Sequence, residues 1–169
     1  MLLVLSDGYR RQYGLDSCVP VLVNLYGPGD NFDLEDSHVV AALVRKFVEA
    51  VQEGEPSVPV WGSGEASREF LHVDDAARAL VLAAERYDSS EPVNVGSGVE
   101  TKIHDLAEMI ARLAGFEGST EWETGKPDGQ LRRCLDVSRA QERMGFQAEI
   151  SLQDGLRETI EGFRVRARS

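Results

Sequence analysis

The residues with the most chemical content are Asn24-Leu25-Tyr26-Gly27-Pro28-Gly29-Asp30-Asn31-Phe32, followed closely by Ser37-His38-Val39. An apolar run ending in Asn-Leu-Tyr and meeting Gly27-Pro28 reads as a strand entering a turn. The polar loop behind it leads to an imidazole, and in open α/β sheets ligands collect beyond the carboxyl ends of the strands. An imidazole donates or accepts a proton near neutral pH, so His38 is the candidate acid–base group. Its ordinary alternative is a helix-start histidine bonded to backbone. A second group is cationic: Arg45, Lys46, Arg68, Lys126, Arg132 and Arg133 could together meet an anionic ligand in a chain whose net charge is −11. Scattered solvated cations are the alternative for most of them.

These residues need elements to hold them. Residues 1–13 read as a helix that stops at Gly14, and residues 17–24 as a strand apolar on both faces, suited to burial between helices. Val39, Val40, Leu43, Val44, Phe47, Val48 and Val51 recur at helical spacing, which predicts a helix to about Gln52 with Asp36 or Ser37 as its cap. Short strands near 58–61 and 69–73 bracket Gly62-Ser63-Gly64. A helix over 74–87 follows, its first turn carrying Asp74 and Asp75. Val93 to Val95 is a further strand, and Thr101 is placed to cap a helix that ends at Gly115. Strands at 120–123 and 134–137 flank a polar loop, a short helix over 138–144 ends at Gly145, and Ser151 with Asp154 opens a last helix. The pattern is α/β, without repeats or a low-complexity linker, and predicts one compact unit over residues 1–169.

Composition narrows the function classes. With 42% hydrophobic and 28% charged residues the chain has the make-up of an ordinary globular protein. Its acidic balance argues against nonspecific nucleic-acid binding, which needs a basic surface. Cys18 and Cys134 are too few and too isolated for a metal site, and their apolar neighbours predict buried, reduced thiols. Met1-Leu2-Leu3-Val4-Leu5 lacks the basic start and the length of a signal peptide; it fits the interior of a helix. Nothing approaches the ~20 apolar residues of a membrane span, so no membrane partner and a cytoplasmic location are expected. Neither Gly62-Ser63-Gly64 nor Gly96-Ser97-Gly98 has the third glycine of a dinucleotide turn, and both read as plain turns. The 169 residues contain no Tyr-x-x-x-Lys pair.

Taken in order, Asn24 to Phe32, Ser37-His38-Val39, Val60-Trp61-Gly62-Ser63-Gly64, Arg68 to Asp75, Asn94 to Gly98 and Lys126-Pro127-Asp128-Gly129 resemble the GDP-L-fucose synthase family. These are extended short-chain dehydrogenases/reductases, within the NAD-dependent epimerase/dehydratases. The likeness runs from about Tyr9 to the end and covers only the C-terminal half of such an enzyme. It implies the C-terminal part of a Rossmann-like fold with its substrate-binding domain, lacking the N-terminal dinucleotide-binding half. Residues 1–35 would be the remnant of the Rossmann-like sheet region, and residues 36–169 mainly the nucleotide-sugar-binding region.

The resemblance also implies roles. His38 matches the acid for epimerisation at C3 and C5 of GDP-4-keto-6-deoxymannose. Asn24, Leu25 and Tyr26 match the segment beside the nicotinamide of NADP(H), while Lys46, Trp61, Arg68 and Asp128 match positions that bind the GDP-sugar. His72 falls in a His-Val-Asp signature read as structural, and no metal is implied. Two departures stand out: Val21-Leu22-Val23 precedes Asn24 where the family has a Pro-Thr pair, and Gln130-Leu131 replaces Thr-Pro. The expected partners are a nucleotide-sugar, GDP-linked by preference, and either further copies of the chain or a missing N-terminal half. NADP(H) is not expected to bind tightly to this chain alone, nor the chain alone to be active. The rival readings are a noncatalytic nucleotide-sugar- or partner-binding protein and another nucleotide-sugar epimerase or dehydratase.

Overall fold

Periodic apolar stretches and glycine stops divide the chain much as the sequence predicts. The computed structural model describes residues 1–167. The elements are α1 (Leu2–Tyr13), β1 (Val19–Leu22), β2 (Asn24–Tyr26), α2 (Val39–Glu53), β3 (Ser57–Trp61), β4 (Ser67–His72), α3 (Val73–Arg86), β5 (Pro92–Val95), β6 (Glu100–Lys102), α4 (Ile103–Ala114), β7 (Ser119–Glu123), β8 (Arg132–Arg133), α5 (Ser138–Met144) and α6 (Leu152–Ala167). Where one unit with a change of role near residue 35 was expected, the chain clusters into two compact units interleaved along the sequence. β2 and β4 each run from one into the other, which is why no single linker marks the division.

The first unit comprises Met1–Leu25, Glu69–Val99 and Cys134–Glu149. Its β1 pairs with β5 in parallel, Val19 opposite Pro92 through Leu22 opposite Val95. Leu71, Ala76, Ala79, Ala83, Val93, Val95, Met144 and Phe146 form its core. Because α3 faces this core with alanines, Met144 and Phe146 from the α5 region can approach closely. Glu69 is 1% exposed and accepts hydrogen bonds from Gly98 N (2.7 Å) and Leu135 N (2.9 Å). A Cβ at Gly96 would overlap this carboxylate and Val23, so the turn after β5 can close only with glycine there.

The second unit comprises Tyr26–Arg68, Glu100–Arg133 and the described part of Ile150–Ser169. α2, α4 and α6 pack together, and β3 pairs in parallel with β7 from Ser57 opposite Ser119 to Trp61 opposite Glu123. Val44, Phe47, Leu106, Ile110, Leu156 and Ile160 are buried here. Ser151 bonds Asp154 through both backbone and carboxylate, the helix start that the sequence predicts for α6.

Several local expectations are corrected. The stretch 17–24 is two short strands, and β1 is only half-buried, with Val21 39% exposed. α2 is capped by His38 in an extended conformation without a side-chain bond, not by Asp36 or Ser37. Thr101 lies inside β6 instead of capping α4; Ile103 N and His104 N bond Ala66 O and Gly64 O, so backbone carbonyls do what a cap side chain would. The pairing expected at 134–137 occurs instead at β8, where Ser67 and Arg68 of β4 lie opposite Arg132 and Arg133. Cys18 and Cys134 are half-buried, not buried, and neither is in a disulfide. No helix among the described residues is long and apolar enough to cross a membrane.

Candidate functional site

Four of the expected residues come together on one surface of the second unit. On β3, burial alternates so that Pro59 and Trp61 share the outward face. Trp61 is 65% exposed, an unusual position for a large aromatic side chain. Lys46, reaching from α2, donates to Pro59 O at 2.8 Å, two residues along the strand from Trp61. Partial burial holds its ammonium below the usual lysine range, and Glu123 opposes that shift.

The polar loop between β7 and β8 lies across this surface as a strap. Alternate residues hold it: Lys126 sits 5.2 Å from the centre of the Trp61 ring, Asp128 bonds Ser63, and Gln130 O accepts from Arg68 at 2.5 Å. The Lys126 and Asp128 side chains and the Gln130 backbone carbonyl make these contacts, with Gly129 at φ 69 turning the segment between the last two. Both Asp128 oxygens are engaged, one with Ser63 N at 2.6 Å and one with the Ser63 hydroxyl at 2.7 Å. The hydroxyl, then the backbone N–H, holds the Asp128 carboxyl below its usual range. Gly62 permits the approach: it has φ 85, and a Cβ there would overlap the Asp128 carboxylate. Beyond the strap, Arg68 and Arg133 lie opposite one another on parallel strands. Ser67 bonds Glu100, which Arg132 also meets at 2.9 Å; the Ser67 hydroxyl and then Arg132 keep that carboxyl below its usual range.

His38 belongs to the same unit and its side chain is exposed. The loop before it is stitched by its own polar side chains, with Asp30 accepting from Asn31 N, Asn31 from Asp33 N and Asp33 from Glu35 N. Phe32 is buried against Phe163 at 4.7 Å, and its carbonyl accepts from Arg45. The imidazole therefore projects from a braced loop and not from a packed core.

The expected cofactor segment is more enclosed. In the first unit Asn24 Nδ2 donates to Glu69 O at 2.9 Å, and Leu25 packs against the core. Tyr26, in the second unit, is 2% exposed and its hydroxyl donates to Leu152 O. Neither glycine turn cradles a phosphate, because Asp128 fills Gly62-Ser63 and Glu69 fills Gly96-Gly98 with the chain's own carboxylates. His72 is buried and accepts from Asp74 N at the start of α3, in keeping with a structural part. A recess of about 680 Å³ elsewhere in the second unit, lined by His104, Glu108, Arg112 and Trp122, holds none of the expected residues. The sequence assigned no role at the site to Ser63, Gln130 or Glu69. The signal available was a hydroxyl between two glycines.

Known proteins share this arrangement of elements. The model of the NAD dependent epimerase/dehydratase family matches residues 2–96. GDP-L-fucose synthase 1 of Arabidopsis thaliana is 46% identical over 157 residues, covering 93% of this chain and 48% of that protein. GDP-L-fucose synthase of Escherichia coli (strain K12) is 45% identical over 168 residues, covering 94% and 52%. The crystal structure of a GDP-L-fucose synthetase from Naegleria fowleri bound to NADP superposes with a TM-score of 0.89 at 30% identity, over 100% of this chain and 55% of that one. The Thermotoga maritima UDP-glucose 4-epimerase with UDP-glucose gives 0.86 at 30% identity, over 98% and 51%. The chain thus spans about half the length of the curated relatives it matches. Its fold is that of the C-terminal part of a Rossmann-like extended short-chain dehydrogenase, and the chain belongs to the NAD dependent epimerase/dehydratase family.

Proposed function

We propose that this chain binds the nucleotide part of a GDP-sugar on the surface formed by Lys46, Trp61, Arg68 and the strap that Asp128 holds. In this reading it is the nucleotide-sugar-binding half of an NADP-dependent GDP-4-keto-6-deoxymannose 3,5-epimerase/4-reductase. The observation that carries the reading is the lateral pairing of Arg68 with Arg133, with Arg68 also bonded to the strap at Gln130 O, in a chain of net charge −11. Like charges on adjoining strands repel, and a bound diphosphate turns that cost into attraction. Trp61, 65% exposed with Lys126 over its ring, offers its remaining aromatic surface to the rest of the ligand. The guanine preference rests on the Escherichia coli and Arabidopsis thaliana relatives named GDP-L-fucose synthases, at 45% and 46% identity.

His38 is the proton donor in this reading, since its exposed side chain is reachable without opening the core. Asn24, Leu25 and Tyr26 are the segment that adjoins the nicotinamide of NADP(H). The cofactor supplies hydride in such an enzyme. The two glycine turns of this chain do not fit a pyrophosphate, so the 169 residues alone bind NADP(H) weakly and do not turn over a keto-sugar. A cytoplasmic setting and association with further copies or with an N-terminal half complete the proposal. A noncatalytic nucleotide-sugar-binding protein is the second reading, favoured by the same closed turns. Calorimetry with GDP-mannose, UDP-glucose and dTDP-glucose tests the ligand class: stronger binding of the GDP-sugar supports the proposal, and equal or absent binding rejects it.

A further inference from the structure

The strap residue expected to touch ligand has both its oxygens occupied within the protein. Asp128 accepts from the backbone and hydroxyl of Ser63, and Gly62 is shaped to let it in. Two residues earlier, Lys126 lies over the ring of Trp61, which is otherwise mostly open to solvent. Pro127 joins the two and has a restricted backbone, so fixing Asp128 limits where Lys126 can go.

We infer that Lys126 is a ligand-binding residue of the nucleotide-sugar surface and that Asp128 is its positioning residue, a latch holding the Lys126 ammonium over the Trp61 ring. The inference rests on the proposed nucleotide-sugar site. Trp61 and Lys126 together make a slot with an aromatic wall and a cationic rim. A purine suits both parts: its ring stacks on the indole, and the guanine edge carries the O6 and N7 acceptors for an ammonium donor. Adenine places a donor amino group where guanine has O6, so the slot favours GDP over ADP. Lys126 is thus assigned a part in base choice that Asp128, facing Ser63, is not free to play.

The test has one arm without ligand and one with GDP as the probe. In the ligand-free arm, the indole N–H signal of Trp61, assigned by Trp61→Phe, is followed by ¹H–¹⁵N NMR. Lys126→Ala should move it, and Asp128→Asn and Ser63→Ala should move it in the same direction. A Trp61 signal unmoved by both latch substitutions overturns the latch. In the second arm, Lys126→Ala should weaken GDP binding about two- to tenfold, the range of one exposed charge-assisted contact. ADP binding should change less. Asp128→Asn should weaken GDP binding in the wild-type background and add nothing in the Lys126→Ala background. Equal losses from Asp128→Asn in both backgrounds would show that Asp128 meets ligand itself and overturn its role as a positioning residue. No GDP binding by the wild-type chain at millimolar ligand rejects the nucleotide-sugar site and Lys126's part in it, and the NMR arm then decides the latch by itself.

Discussion

Asp128 and Ser63 are joined by two hydrogen bonds across a sequence separation of 65 residues, one to the backbone N–H and one to the hydroxyl. That pair fixes the end of β3 to the strap, and through the strap it gathers Lys126, Trp61 and Arg68 onto one surface. The pair also gives the site a pH dependence with a definite sign. The folded carboxyl titrates below its unfolded value of 3.8, so its stabilising contribution is complete above that value and is lost as pH falls through the folded one. Ser63→Ala should therefore lower the urea midpoint at about pH 7 and have a smaller effect at about pH 3. An undiminished difference at the acidic pH would exclude the carboxylate as the partner that matters.

The helices were largely legible in the sequence because their signal is local. Val40, Leu43, Val44, Phe47 and Val48 are buried along α2, and Leu106, Ala107 and Ile110 along α4, at the spacing expected. The strand pairings were less so. β6 and β8 have 3 and 2 residues and exist through partners on β4, so no run of β-branched residues announces them. Of the candidate residues, His38, Lys46, Trp61, Arg68 and Asp128 were singled out by likeness to a family. The attachment of Asp128 to Ser63 was not, because two half-buried polar residues far apart in sequence carry no mark of their contact.

The first unit depends on a buried carboxylate that serves structure. Glu69 supplies acceptors for Gly98 N and Leu135 N, and its removal leaves both donors without it. Glu69→Ala should destabilise the chain by ~3 kcal/mol, the cost of orphaning buried donors combined with a small cavity. Gly96→Ala should destabilise it as well, by forcing a methyl into the same carboxylate. Chemical denaturation of both variants checks this, and a midpoint like wild type for Glu69→Ala would show that these bonds carry no net weight.

α1 makes a separate prediction. It has no buried residue, and Leu2, Leu3, Val4, Leu5, Tyr9 and Tyr13 are all exposed. An isolated helix of this length is marginal in water, and apolar surface favours burial by about 25 cal/mol per Å². The chain should self-associate or capture a complementary segment through this helix. Light scattering at tens of micromolar should report a species larger than monomer, reduced by Leu3→Ser with Leu5→Ser. A monodisperse monomer unaffected by those changes would refute it.

Catalysis by the 169 residues alone is expected to be absent. Both glycine turns are filled by the chain's own carboxylates, and no Tyr-x-x-x-Lys pair is present to relay a proton. NADPH consumption dependent on GDP-4-keto-6-deoxymannose should not exceed that of a His38→Ala control. A rate above that control would mean that cofactor and substrate meet at a place on this chain other than those turns.

Residual nucleotide-sugar binding should nevertheless be measurable, because Lys46, Trp61, Arg68 and the strap all lie within one unit. The surface is open, with Trp61 65% exposed, so ligand buried on it keeps much of its own area in water. Affinity should fall in the high micromolar to millimolar range, about −4 to −6 kcal/mol. Arg68 is held beside Arg133 by its bond to Gln130 O, so its charge is in place before ligand arrives, while Lys46 must exchange its bond with Pro59 O for one with the diphosphate. Arg68→Ala should then cost more affinity than Lys46→Ala. Added salt should weaken wild-type binding, and weaken it less in either variant, since the attraction is between exposed charges. Ligand-observed NMR with GDP-mannose across a salt series measures all three quantities. Binding indifferent to salt and to both substitutions would place the ligand away from these cations.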